Sequence, residues 1–432
     1  MELTQVLSWG RAFKAESEKH PFHSWESLLG KNLVTGSQLS YGDSCLIDGG
    51  RDLSNLGRDN ILNFQPEEMW IEAQSGITFD RLLQFLVPRG FFLPVTPGTK
   101  YITLGGALAN DVHGKNHHSM GSFGCHVLEF RLLRSSGEVF RCSPQEHSDL
   151  FHATVGGLGL TGAILSVKFK IVSISSSFID NRVERFRGLS QFFELSEKYA
   201  SSTYTVSWID CYAKWRGRAE PRGLFMAGQS SQKGDLRLHK SPRIKVPIAL
   251  PFSMINGVSS RVFNHLYYSK SFLTPVQSQQ HYDPFFYPLD GVLNWNLVYG
   301  SKGFFQFQCV LPMDRKEKLQ ELLDLIAESG QGSFLSVLKL FGSIPSVGWM
   351  SFPREGVTLC LDFPNLGSST RKLFSQMEKM VLNHGGRLYP AKDMLMKGES
   401  FKTFYPNWEK FNQIRDPQFE SSFWKRVMEK KI

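Results

Sequence analysis

The segment from Pro97 to Gly124, PGTKYITLGGALANDVHGKNHHSMGSFG, gathers glycines, three histidines and Lys115 around few large apolar anchors. Gly105 and Gly106 stand beside Ala107, Leu108 and Ala109. Small residues let a backbone approach a ligand closely, and glycine also takes positive φ. Exposed N–H groups in such a loop can cradle a diphosphate. His113, Lys115, His117 and His118 then offer polar side chains close by. His113 and His117 are four residues apart, but Gly114 intervenes and no Cys or Glu joins them, so stacking or hydrogen bonding to an anionic ligand is a better reading than a metal site.

Three further features carry chemistry. Lys392, in YPAKD, is either a solvated charge or, if desolvated on a ligand-facing surface, a base with a lowered pKa. Cys360 is either a small buried thiol or part of the same surface. Gly157–Gly162 matches GxGxxG, but a strand follows it where a dinucleotide-binding fold needs a helix. These glycines read as a tight turn, close to a ligand.

The chain has 432 residues, with 41% hydrophobic, 21% charged and 13% aromatic. That is globular, and long enough for two domains. The 35 Phe suit a deep core or a large planar or lipidic ligand. The net charge of +9 fits a phosphate-bearing ligand or a mild surface excess. No basic run interleaves with aromatics, so no nucleic-acid partner is expected. The six cysteines, Cys45, Cys125, Cys142, Cys211, Cys309 and Cys360, form no CxxC pair, against both zinc and a disulfide scaffold. Neither a signal peptide nor an apolar run long enough to span a bilayer is found. The expected location is the cytoplasm or the inner-membrane surface. There Ile244–Tyr268, apolar, broken by prolines and flanked by Lys240, Arg243, Lys245 and Lys270, is either a membrane-touching flap or buried irregular structure.

The elements that must position these residues follow from periodicity. TFDRLLQFLV (Thr78–Val87) is a helix stopped by Pro88 and Gly90, and Ser143-Pro-Gln-Glu reads as the capping box of another. Ala163–Ile171 alternates as a half-buried strand, with Leu165, Val167, Phe169 and Ile171 on the apolar side. From Phe304 to Tyr389 the order is β-α-β-β-α-β, which predicts an antiparallel sheet with helices on one face. Strand phase places Gln306, Gln308, Lys339, Thr358 and Cys360 on the other face, with Leu335 and Val337 in phase with Lys339. The paucity of charge there favours a ligand wall over a solvated surface.

PGTKYITLGGALANDVHGKNHHSMGSFGCHV, ATVGGLGLTGAI, FQFQ, SFLSVLKLFG, LCLDFP and GGRLYPAKD occur in this order. Together they resemble the decaprenylphosphoryl-β-D-ribose 2-oxidases, flavoproteins of the vanillyl-alcohol oxidase superfamily. The resemblance runs from about Tyr41 to the C-terminus. It implies an α+β, two-domain FAD-binding fold of the vanillyl-alcohol oxidase type, with a substrate domain built on an antiparallel sheet covered by helices. Residues 1–174 and 387–432 would form the FAD-binding domain, and 175–386 the substrate domain.

It also implies site residues. Ser40, Tyr41, Gly42 and Asp43 would touch the flavin first. Pro97, Gly98, Thr99, Thr103, Gly105, Gly106, Ala109 and Asn110 would wrap it, continued by His113, Gly114, Asn116, His117, Ser119, Gly121 and Ser122. Gly159, Gly162, Ile164, Tyr389 and Ala391 would complete the set. Lys115, Gln306, Gln308, Leu335, Val337, Lys339, Thr358, Cys360 and Lys392 would line the substrate side, with Cys360 matching a thiol that nitroaromatic inhibitors of that family trap. The catalytic candidates are Lys392, Lys115 and His113. The first loop departs from the family's Gly-Arg-Ser-Tyr-Gly-Asp: Gln38 and Leu39 stand where Gly and Arg are usual, and Thr358 replaces Asn. A family tyrosine falls at Phe286, beside Tyr287. No histidine lies in the first loop, so FAD is expected to be non-covalent. The implied reaction oxidises a secondary hydroxyl of a lipid-linked pentose, and an NAD-dependent short-chain reductase would complete a net epimerisation. An aldonolactone or alditol oxidase, or a flavin-binding scaffold without turnover, are the alternatives.

Overall fold

The computed structural model describes residues 3–22, 30–215, 218–239 and 244–429. Two small sheets come from the N-terminal third. One has four strands in the order Thr4–Leu7, Lys14–Pro21, Arg51–Ser54, Asn32–Thr35. The other has five, in the order Ile61–Gln65, Trp70–Gln74, Ala163–Lys170, Val127–Leu133, Val139–Cys142. Helix α1 (Phe79–Leu86) forms where the sequence predicts it. Thr78 caps it through Arg81 N–H, and Phe79, Leu82, Leu83 and Leu86 are buried. Helix α2 (Leu104–Ala109) is capped by Thr103, whose hydroxyl accepts from Gly106 N–H at 3.2 Å. A Cβ at Gly105 would lie 2.9 Å from the Ser75 side chain, so glycine is what lets α2 approach the five-stranded sheet.

Two local expectations fail. Ser143 does not cap a helix: its hydroxyl accepts from Gln145 and Glu146 N–H, and its own N–H donates to Glu146 C=O at 2.8 Å. That closes a turn, and the helix Ser148–Thr154 starts only after His147 at φ 48°. In Ala163–Lys170 a bulge between Ile164 and Ser166 shifts the phase. Ser166 is therefore buried, bonded to Glu72, while Leu165 is only half-buried.

Between Phe178 and Leu388 the chain builds an eight-stranded antiparallel sheet. Its strands are β1 (Phe178–Arg187), β2 (Tyr204–Asp210), β3 (Arg222–Ser230), β4 (Gln277–His281), β5 (Phe304–Leu311), β6 (Ser336–Phe341), β7 (Gly356–Pro364) and β8 (Arg387–Leu388). The order is β4-β1-β3-β2-β6-β7-β5-β8. Helix α3 (Gly257–Lys270) packs across β2. Helices α4 (Leu319–Glu328) and α5 (Ser368–Asn383) cover the opposite face. Leu322, Leu323 and Ile326 of α4, with Leu373, Phe374 and Met377 of α5, close on Phe305, Phe307, Leu359, Leu361 and Phe363 in one core. Val357, Leu359, Leu361 and Phe363 are fully buried, as the strand phase requires. The β-α-β-β-α-β order is thus present, and the face opposite α4 and α5 turns toward the two small sheets.

Candidate active site

Register fixes what the free face presents. Gln308 on β5 lies opposite Cys360 on β7, which lies opposite Val337 on β6, which lies opposite Trp208 on β2. Gln306 pairs with Asp362, and Thr358 with Lys339, in the neighbouring rows. These side chains form one wall of a cavity of about 780 Å³. Residues 36–41, 96–99, 101–103, 105–106, 109–110 and 112–115, with Leu158, Gly159, Gly162 and Ile164, form the rest of that end, and Tyr389, Ala391 and Lys392 reach it from the C-terminal tail.

The cavity therefore collects Ser40, Tyr41, Pro97, Gly98, Thr99, Thr103, Gly105, Gly106, Ala109, Asn110, His113, Gly114, Gly159, Gly162, Ile164, Tyr389 and Ala391. All nine expected substrate-side residues line it too. Seven expected residues do not. A Cβ at Gly42 would strike Asp393 C=O, and Asp43 is held by Arg426 at 2.8 Å, so both turn into the C-terminal tail. Asn116 donates to Pro94 C=O at 2.7 Å, Ser119 to Asn116 C=O at 3.2 Å, and Ser122 to Asp111 at 2.9 Å. His117 is buried against the Phe341 ring, and Gly121 at φ 70° ends the short helix His117–Met120. The second half of the histidine-rich segment thus braces the first.

His113 is the hub of the polar end. Lys339 Nζ lies 2.9 Å from its Nδ1, and the Gln308 amide nitrogen 3.0 Å from its Nε2. A neutral imidazole has one donor and one acceptor nitrogen, so one of these two contacts carries the ring proton and the other receives one. Lys339 also donates to Gly114 C=O at 2.9 Å. The electrostatics agree. Burial, with little help from neighbours, pushes Lys339 down to about 7, and burial lowers Lys115 to about 7. Burial and the Lys339 charge hold His113 well below the usual imidazole range, so it stays neutral. Lys115 donates to Phe285 C=O and lies over that ring at 4.4 Å. Lys392 is half-buried with its Nζ 3.8 Å from the Tyr41 ring centre, and desolvation lowers its pKa. Cys360, raised to about 12 by burial and then by Asp362, is a neutral thiol.

Asp362 escaped the sequence reading as a site residue. It is fully buried, accepts from the Gln306 amide, and burial raises its pKa to about 7. Its period-two spacing from Thr358 and Cys360 was the available signal. Trp208, Phe263 and Tyr267 also line the cavity and had no motif to mark them. Phe286 lines it as well, whereas the Tyr287 hydroxyl is spent on Thr96 at 2.6 Å.

The glycine-rich end fits FAD. A Cβ at Gly98 would meet nothing within 4 Å, and one at Gly159 only Val34 C=O at 4.0 Å. Both positions border open cavity that only a ligand fills. Gln38 adopts φ 52°, the conformation that favours the family's glycine, and its amide is anchored on Asp52 at 2.9 Å. The first loop therefore keeps its turn without that glycine.

Residues 30–143 match the family profile of an FAD binding domain. Fold and site define an FAD-dependent oxidoreductase of the vanillyl-alcohol oxidase type, acting on CH–OH groups. Over 393 residues the chain is 34% identical to decaprenylphosphoryl-β-D-ribose oxidase of Mycolicibacterium smegmatis, covering 89% of this chain and 85% of that protein. The chain belongs to the decaprenylphosphoryl-β-D-ribose oxidase family. An uncharacterized protein of Streptomyces coelicolor is 28% identical over 78% of this chain and 95% of its own. Human Delta(24)-sterol reductase is 26% identical over 30% of this chain and 25% of its own.

Proposed function

We propose that the protein oxidises a secondary hydroxyl of a sugar, at C2 of a polyprenyl-phosphate-linked ribofuranose, and releases a keto-sugar. The observation that carries this reading is a single cavity with a glycine-lined end and, facing it, a wall of Gln306, Gln308, Lys339, Cys360 and Lys392. Residues 1–174 and 387–432 are assigned to holding FAD, and 175–386 to holding the sugar.

When bound, FAD supplies the two-electron acceptor for the hydride of the carbinol carbon. Lys392 takes the hydroxyl proton. Desolvation lowers its pKa, which favours the free amine that a general base needs. Lys115 and neutral His113 are the alternative bases, with Lys339 and Gln308 holding the His113 ring, and Gln306 and Gln308 hold sugar hydroxyls by hydrogen bonds. Gln306, Gln308 and Lys339 are buried, which keeps bulk water from this end of the cavity. The keto-sugar product requires a reductase to complete epimerisation to the arabino form, and an NAD-dependent short-chain enzyme is the proposed partner. No described helix is long and apolar enough to cross a membrane. A lipid-linked substrate brings the enzyme to a membrane surface, and the proposed location is cytoplasmic or peripheral at the inner membrane.

The test is anaerobic mixing of the flavin-loaded protein with candidate sugars while flavin absorbance is followed. Bleaching by a lipid-linked ribose, and not by free alditols or aldonolactones, is expected. Bleaching by the free sugars alone overturns the substrate assignment, and no bleaching by any overturns turnover. Acid precipitation should leave the flavin in the supernatant, and flavin retained in the pellet would contradict non-covalent binding.

A further inference from the structure

We propose that the prenyl chain of the substrate leaves the cavity along the apolar half of the sheet face, beneath α3, and that the outward side of α3 rests in the lipid surface from which the chain comes. This rests on the lipid-linked substrate proposed above.

The cavity changes character along one row of the sheet. Gln308 and Cys360 mark one end, and Val337 and Trp208 follow strand by strand, with Leu224 on β3 opposite Trp208. From β5 to β3 this spans four strand spacings, roughly 19 Å. Val206 and Met226, paired in the next row, also line the cavity. The roof over this half is aromatic. Tyr267 of α3 meets Trp208 at 4.8 Å between ring centres, and Phe263 meets Phe334 at 5.3 Å. Asn264 clamps α3 in place by donating to Asp210 at 2.9 Å and to Ser333 C=O at 3.1 Å. A sugar has no use for this half; an extended hydrocarbon does.

The mouth lies at α3. Phe263 and Tyr267 line the cavity yet remain 43% and 38% exposed. On the outward side of the same helix Val258, Val262 and Leu266, spaced four apart, are 71%, 54% and 62% exposed. Ile248, Phe252, Met254, Phe272 and Leu273 extend this apolar surface on both flanks. A patch of this kind on a soluble domain marks an interaction surface. Its charge selects the partner. Between Asp235 and Asp283 the sequence contains no Asp or Glu, but has Arg237, Lys240, Arg243, Lys245, Arg261 and Lys270. An apolar ridge in an acid-free, basic frame matches a bilayer with anionic head groups. Of the two sequence readings of Ile244–Tyr268, buried irregular structure does not fit: the segment is ordered and exposes Val258, Val262 and Leu266. Ile244–Lys245 pairs in parallel with Val292–Leu293, and the segment's second half is helical. Lys240 and Arg243 lie outside the described residues.

The experiment uses full-length flavin-loaded protein and two synthetic substrates, decaprenyl- and farnesyl-phosphoryl ribose. Phe263→Gln should raise KM for the long-chain compound at least tenfold more than for the short one. Equal KM changes, with normal turnover in the parent, overturn the chain path alone. Reduction by neither compound in the parent overturns the substrate reading and the path with it. Separately, the parent should sediment with phosphatidylglycerol-containing vesicles, and the combined Val258→Ser, Val262→Ser, Leu266→Ser variant should lose at least tenfold in that binding. Unchanged sedimentation overturns the docking surface. A dimer in the parent that dissociates in this variant would overturn it too, by assigning the face to a second copy.

Discussion

The two halves of the large sheet's free face contrast in composition though they share one register. β5 and β7 present Gln306, Gln308, Thr358, Cys360 and Asp362, while β2 and β3 present Val206, Trp208, Leu224 and Met226. The opposite face is apolar beneath α4 and α5. Folding requires one apolar face, and that requirement is met on the helix side, so the free face can be specialised by ligand. Specialisation at the polar end is costly, because a buried polar group without a partner is destabilising. Gln306 with Asp362, and Gln308 and Lys339 with His113, are the pairings that make it tolerable.

The harshest way to break the contrast is to remove the polar half's charge. Lys392→Ala should retain FAD yet lose at least about a hundredfold in flavin reduction by substrate, the low end for a lost general base. A parent-like rate would demote Lys392 to a packing role over Tyr41. The next largest effect concerns pH. Lys339 titrates near 7 when folded and at its ordinary value of 10.5 when unfolded. Between those values the unfolded chain binds the extra proton, so stability rises with pH, by up to about 1.4 kcal/mol per pH unit. Lys115 adds a rise of the same sign, so urea unfolding of flavin-free protein at pH 7.5 and 8.5 should show it, and Lys339→Met should reduce the slope without abolishing it. Buried thiols such as Cys360 act with the opposite sign, but only above pH 9.

Cys360→Ser should bind FAD normally while losing labelling by an active-site electrophile, since the thiol faces the cavity. Failure to fold would place it in the core instead. The gentlest change falls on the boundary. Val337 is 36% exposed, so Val337→Thr should shift stability by no more than about 0.5 kcal/mol. A larger loss would mean that the apolar half begins one strand earlier than the register indicates.

What the sequence could reveal was set by periodicity and by short-range chemistry. Alternation in FFQFQCVL and VTLCLDFP names the faces of β5 and β7 outright, because side chains alternate strictly in a strand. The glycine-rich first half of the Pro97–Gly124 segment was legible for a similar reason: its residues need a ligand to justify them. The second half misled, since Asn116 and Ser122 are equally polar but spend their bonds on the protein, and the His117 ring packs on Phe341. Only three-dimensional closure separates a polar side chain that faces a ligand from one that faces its neighbour. Trp208 and α3 were invisible for a different cause: apolar residues at a ligand wall look like core. Ser143 was misread because a hydroxyl that accepts two N–H groups caps a turn as readily as a helix.

The walls of the cavity run from Trp9 to Lys392, and the closing clasp lies later still. Asn32 bridges to Phe419, and Asp43 is locked by Arg426. A ribosome must therefore release the segment up to Arg426 before the pocket exists. Until then the aromatic side of β5 and β7 lacks Phe401, Phe423 and Trp424, which complete its core. Contacts this far apart in sequence form slowly. Cofactor capture becomes a readout of synthesis past Arg426: protein cut short before it would emerge colourless and prone to aggregation, whereas yellow protein would certify that the two distant segments have met.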